Sequence, residues 1–180
     1  MNSILPRSVY NIALVGFMGT GKSSVGRLAA EHLHFAFIDT DELIENEVGK
    51  SIREIFAQQG EAAFRKYERD VVHALSDRRD TVIATGGGLV ADPSNLASLK
   101  SHALVVCLWA SPETIWERVR AQTHRPLLQA PDPPAKIREL LEQRGPAYRQ
   151  ADVLLHTGFR SPREVVHHVL HQFNLARRGK

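Results

Sequence analysis

The residues best suited to chemistry stand in short clusters, and the first is Gly16-Phe-Met-Gly-Thr-Gly-Lys-Ser23. It fits G-x-x-x-x-G-K-[ST] in full, follows an apolar run and opens a helix-like stretch, the context such a motif requires. Its glycines let backbone N–H groups turn inward toward phosphate oxygens. The positive end of the following helix strengthens that field. Lys22 is expected to reach the β- and γ-phosphates of a nucleotide, and the Ser23 hydroxyl to ligate Mg²⁺. Met18, Gly19, Thr20, Gly21, Lys22, Ser23 and Ser24 are the candidate contacts to ATP. The cradle leaves the phosphoryl acceptor open, because ATPases, GTPases and small-molecule kinases share it. The N-K-x-D stretch usual in guanine-specific proteins is absent from the chain.

The other clusters address the acceptor. Asp39-Thr40-Asp41 supplies two carboxylates two residues apart. One could hold Mg²⁺ through water and the other accept a hydrogen bond from an attacking hydroxyl; the same residues could equally cap a helix beginning at Glu42. In Gly60-Glu-Ala-Ala-Phe-Arg65-Lys-Tyr-Glu68, Arg65 and Glu68 are one helical turn apart. They read either as a solvated ion pair or as an arginine oriented for an anion. Gly86-Gly87-Gly88 carries an entropic cost that close approach of a ligand to bare backbone explains better than a simple turn. Arg125, in Arg-Pro-Leu-Leu, reads as a cation for the transferring phosphoryl group or as a surface arginine. Arg144, in Arg-Gly-Pro-Ala-Tyr, could pair bidentately with a carboxylate or face solvent from a last helical turn.

These clusters need elements to position them. Short apolar runs at 12–17, 35–38, 81–84, 104–109 and 153–155 are rich in Val, Ile and Leu and mostly continuous, as strands covered on both faces are. Helices are expected over 23–33, 61–75, 112–120, 134–150 and 161–173. Ser111-Pro112 and Ser161-Pro162 mark two helix starts, the second with Glu164 completing a capping box. Strand–helix repetition implies a parallel α/β sheet with helices on both faces and right-handed crossovers. Ligands bind beyond the carboxyl ends of such strands, which is where the clusters stand. Residues 121–133, with three prolines and no periodicity, read as an active-site lid.

A chain of 180 residues fits one domain, 1–180, with a core of its own. The composition, 43% apolar and 24% charged, is that of a globular protein. A lone Cys107 rules out an internal disulfide. No secretion signal is evident at the amino terminus, and no apolar run approaches the roughly 20 residues that span a bilayer. A cytoplasmic location, no membrane and a monomer are expected. The +3 formal charge comes from scattered basic residues and the tail Arg177-Arg178-Gly179-Lys180, so nucleic acid is not expected as a partner.

In series, G-x-x-x-x-G-K-S, D-T-D, G-E-x-x-F-R-x-x-E, G-G-G, R-P-L-L and R-x-P-x-Y make the chain resemble the shikimate kinase family from Asn11 to about Leu170. The resemblance implies a five-stranded parallel sheet of order 2-3-1-4-5 with nucleoside-monophosphate-kinase-like architecture. It also implies ATP-dependent phosphorylation of the 3-hydroxyl of shikimate, a step toward aromatic amino acids. Asp39 would organise Mg²⁺ through water. Asp41 would bind the ring hydroxyls and act as base. Arg65 and Arg144 would clamp the carboxylate, with Glu68 holding Arg65. The Gly87 N–H, flanked by Gly86 and Gly88, would face the substrate. Arg125 would lie on the ATP phosphates. Arg118 and Pro162 would flank the adenine with Arg160 nearby, and Arg120 is the alternative to Arg118. Rival readings are a gluconate kinase, a nucleoside monophosphate kinase and a non-catalytic regulatory module. The last would usually lose Lys22, Asp41 or Arg125, and all three are present.

Overall fold

A computed structural model describes residues 7–121 and 131–178. Strands β1 (Asn11–Val15), β2 (Ala36–Asp39), β3 (Thr81–Ala84), β4 (Ala103–Trp109) and β5 (Val153–His156) form one sheet in the order β2-β3-β1-β4-β5. Every pairing is parallel. The order of the strands is therefore the expected 2-3-1-4-5.

Both faces of the central strands β3, β1 and β4 are buried, and their side chains alternate between two cores. Ala13, Val15, Ile83, Val105 and Cys107 face one core. It is completed by helices α2 (Thr40–Val48), α3 (Ile52–Ala74), α4 (Pro93–His102), α5 (Pro112–Val119) and α6 (Pro133–Tyr148). Ile12, Leu14, Val82, Val106 and Leu108 face the other core, closed by α1 (Lys22–Leu33) and α7 (Pro162–Arg178). Two-sided burial is why the strand sequences run apolar without a break. Helices α1, α3, α5, α6 and α7 correspond to the five expected stretches, with ends shifted by a few residues except at the start of α3. The strand placed at 12–17 stops at Val15, because Gly16 turns the chain into the phosphate cradle.

Two features lay beyond the sequence reading. Helix α4 was not anticipated, nor was the extension of α3 back to Ile52. That extension is a separate segment, because Gly60 sits at φ 80°, ψ 175° and breaks α3 in two. The helix carrying Arg65 and Glu68 thus starts afresh at Glu61, as the motif suggested. At α6, Pro146 lies inside the final turn and the helix still runs to Tyr148. The capping residues behave as read. The Ser111 hydroxyl accepts from Thr114 N. Ser161 N donates to the Glu164 carboxylate, and Glu164 N donates to the Ser161 hydroxyl. No helix among the described residues is long and apolar enough to cross a membrane.

Candidate active site

The carboxyl end of β1 leads through Gly16 into α1. Gly16 has φ 130°, and a Cβ there would lie 2.1 Å from the Leu108 carbonyl oxygen, so no side chain fits between the cradle and β4. The N-cap of α1 is Gly21, in the left-handed region, with no side-chain cap and no acidic residue in the first turn. The other helices begin on a capping Asp or Ser, namely Asp39, Ser51, Asp92, Ser111, Asp132 and Ser161. Gly21 thus puts no capping side chain over the first turn of α1, and with the helix dipole that turn forms an anion-binding end. The loop is braced from within. Thr20 Oγ1 donates to Phe17 O at 2.7 Å, and Lys22 Nζ donates to the same carbonyl at 2.9 Å.

Beside this cradle stands the β2–α2 junction. The two oxygens of Asp39 have separate partners: Oδ1 accepts Asp41 N at 3.1 Å and caps α2, while Oδ2 accepts the Ser23 hydroxyl at 2.7 Å. Capping and proximity to the cradle are therefore compatible at one residue. Asp41, on the first turn of α2, is pushed up to about 6 by burial and by Asp39, against the pull of Lys22; Glu68 and Glu45 push the same way as Asp39. Asp41 Oδ1 is buried with no hydrogen-bond partner among the described residues, and so is Glu68 Oε1. Buried acceptors of this kind are uncommon, and a hydroxyl-bearing ligand would satisfy them.

The three glycines after β3 form the back wall, and a different element is tied to each. Gly86 N donates to Thr40 Oγ1 of α2 at 3.0 Å. A Cβ on Gly86 would lie 2.5 Å from Asp41 Oδ1. Gly87 O accepts the Tyr148 hydroxyl of α6 at 2.5 Å. Gly88 abuts α3, since a Cβ there would lie 2.9 and 3.0 Å from the two terminal nitrogens of Arg65. Arg65 Nη1 donates to Glu68 Oε2 at 2.6 Å, and that carboxylate has a relative exposure of only 1%. This is a buried ion pair rather than a solvated one. Burial drives the Glu68 carboxyl upward, opposed by Arg65 and then Arg144. Arg144 lies over the Phe17 ring at 5.6 Å. Arg144, Arg65, Asp41 and the glycines enclose a recess of about 160 Å³.

That recess opens onto a cleft of about 1920 Å³ that also takes in the cradle from Met18 to Ser24 and Asp39. At its far end are Arg118, Thr157, Arg160 and Pro162. Arg118 is fixed there by donating to Gly19 O at 3.2 Å, Thr157 Oγ1 at 3.1 Å and Thr157 O at 2.7 Å. Arg120 does not line the cleft, which favours Arg118 of the two candidates. Arg125, with most of the 121–133 segment, lies outside the described residues. Sequence reasoning missed Thr40, Tyr148 and Thr157 as parts of the site. Tyr148 stood within a quoted motif, whereas Thr157 carried no local signal.

The family model described as shikimate kinase matches residues 18–174. A shikimate kinase of Thermodesulfovibrio yellowstonii is 43% identical over 170 residues, covering 94% of this chain and 98% of that one. A shikimate kinase of Caldanaerobacter subterraneus subsp. tengcongensis is 45% identical over 163 residues, covering 91% and 95%. Among solved structures, shikimate kinase from Acinetobacter baumannii in complex with shikimate superposes with a TM-score of 0.88 at 38% identity, covering 97% of each chain.

Proposed function

The chain belongs to the shikimate kinase family, and from that premise we propose how its residues transfer the γ-phosphoryl group of ATP to the 3-hydroxyl of shikimate. The observation that carries the reading is the continuity of cradle and recess. Met18, Asp41, Arg65, Gly87 and Arg144 line both the phosphate cleft and the smaller acceptor recess. Two cations and an unpaired carboxylate oxygen therefore face one small volume beside the phosphate site. Shikimate, a small carboxylate with three hydroxyls, matches that set.

Arg65 and Arg144 hold the carboxylate of shikimate, and the Gly87 N–H faces the ring. Asp41 accepts the proton of the 3-hydroxyl as its oxygen bonds to the γ-phosphorus. The bond from that phosphorus to the β–γ bridging oxygen breaks, and ADP leaves. A carboxyl near pKa 6 is ionised at neutral pH and still basic enough to take a proton. The α1 amides and Lys22 hold the phosphates, and Arg125 is assigned to the transferring group. Arg118 and Pro162 flank the adenine beside Arg160. Positioning and charge stabilisation supply most of the catalysis in such transfers.

The Ser23 hydroxyl and the Asp39 carboxylate, 2.7 Å apart, are the hard oxygen donors that suit Mg²⁺, an ion usually held by one or two protein oxygens together with substrate phosphates. When bound there, it would neutralise charge on the β- and γ-phosphates. A cytoplasmic monomer that takes no nucleic acid fits the single-domain size and scattered basic residues, and size-exclusion chromatography checks the monomer.

ADP release with Mg-ATP and a panel of shikimate, gluconate, AMP and CMP tests the reading. Turnover on shikimate alone is expected. Turnover on another acceptor, and none on shikimate, would keep a P-loop kinase and discard the acceptor assignments.

A further inference from the structure

Glu61 is the one acid of the G-E-x-x-F-R-x-x-E stretch to which neither the resemblance nor the mechanism gives a task. It lines the main cleft and binds the same guanidinium as Glu68. Arg65 Nη2 donates to Glu61 Oε1 at 2.8 Å, and Arg65 Nε reaches the same oxygen at 3.3 Å. A planar guanidinium offers a carboxylate two forked edges, one formed by Nε and Nη2 and one by the two terminal nitrogens. At Arg65 the terminal edge is crowded. Nη1 is held by Glu68, and both terminal nitrogens fill the space that a side chain at position 88 would take, the Cβ position there being 2.9 and 3.0 Å from them. The Nε–Nη2 edge is filled by Glu61.

The two carboxylates differ in how firmly they hold. Glu68 has a relative side-chain exposure of 1% and Glu61 of 66%, with Arg65 between them at 27%. An exposed pair is weak and exchangeable, while a buried one is fixed by the cost of leaving either charge unpaired. We propose that Glu61 is an exchangeable internal carboxylate: it occupies the Nε–Nη2 edge of Arg65 in the unliganded enzyme, and the carboxylate of shikimate displaces it on binding. Glu61 thus lowers acceptor affinity while keeping the arginine in position. Small anions must compete with it for the same edge. This inference rests on the reading of Arg65 as a carboxylate ligand.

Glu61→Gln, Arg65→Ala and the unaltered enzyme are titrated with shikimate by calorimetry. The same titration uses an analogue bearing a hydroxymethyl group in place of the carboxylate, and acceptor and ATP KM values are measured in parallel. Glu61→Gln is expected to bind shikimate about two- to fivefold more tightly, the strength of an exposed ion pair. The gain should appear in the shikimate KM rather than the ATP KM, and should vanish with the analogue. A side chain that merely supports Arg65 would give weaker binding when altered, and unchanged or weaker binding overturns the proposal. Unchanged shikimate affinity in Arg65→Ala would instead remove the carboxylate clamp, and this inference with it. Weakened Arg65→Ala together with no gain in Glu61→Gln would leave the clamp standing and discard the exchange alone.

Discussion

At the scale of single residues, Asp41 carries the most consequences. Its carboxyl is raised to about 6 by burial and by Asp39. As the proposed base it must be ionised, so kcat/KM for shikimate should rise with pH through about 6 and level off above. Below that point it should fall about tenfold per pH unit. A profile flat from pH 5 to 8 would remove Asp41 as base. The same shift acts on stability with the opposite sign. Below its ordinary value of 3.8, the group is protonated in both states and costs nothing. As pH rises through about 6 the folded protein must ionise a buried acid, and stability is lost. Asp41→Asn should therefore abolish turnover yet stabilise the unliganded protein. The gain, on the order of 1–3 kcal/mol, should open between pH 4 and 6 in urea titrations. Gly86 is the complementary case. A methyl there would lie 2.5 Å from Asp41 Oδ1 and 3.3 Å from Glu68 Oε1. Gly86→Ala is expected to lower kcat by about 10²-fold through a displaced carboxylate, measured by steady-state kinetics, while circular dichroism stays native. Residue types and spacing made Asp41, Arg65 and Lys22 legible in the sequence. The contacts that close the site around them were not legible, because Thr40 and Gly86, or Tyr148 and Gly87, are far apart in the chain and meet only in the folded protein.

At the scale of elements, local chemistry gave good guidance wherever a cap or a special backbone position was present. Ser161 with Glu164 announced α7, and the glycine-rich turn announced α1. Helix α3 is more instructive, since the motif announced the segment that begins after Gly60 but nothing in the pattern announced the one from Ile52 that precedes it. The φ of 80° at Gly60 is open to glycine, and nothing lies within 4 Å of a Cβ, so only backbone strain opposes a side chain. Gly60→Ala should cost about 1–3 kcal/mol in denaturant unfolding. It should also raise the shikimate KM, because the break sets the direction in which Glu61, Arg65 and Glu68 leave the helix. An unchanged KM in a destabilised variant would confine Gly60 to folding. Helix α4 escaped notice because its apolar face is short, and its buried Asn95 and His102 obscure the pattern.

At the scale of the whole molecule, the proposed function gives β1, α1, α5 and α7 the nucleotide side, and β2, β3, α2, α3 and α6 the acceptor side. The cleft lies where the two meet, at the carboxyl ends of the strands. A ligand that bridges so many elements should stabilise all of them. Mg-ATP at a hundred times its Kd adds about 2.7 kcal/mol, which for a chain this long raises the melting midpoint by about 5–10 °C. Lys22→Ala should lose most of that rise while keeping the rise given by shikimate. Scanning calorimetry would detect either, and no response to nucleotide would remove the cleft as its site. The sequence by itself determined the sheet, the cradle and the identity of the charged groups, because strand burial, helix caps and phosphate-binding turns are local properties written in neighbouring residues. Tertiary structure alone decided the rest: that Asp39 caps α2 with one oxygen and meets Ser23 with the other, that Arg65 is shared between a buried and an exposed carboxylate, and that each glycine after β3 is tied to a different helix. The contact of Asp39 with Ser23 and the ties of the glycines join residues distant in the chain, which strand order and not sequence spacing brings together, and the unequal burial of Glu68 and Glu61 is set by what packs against α3.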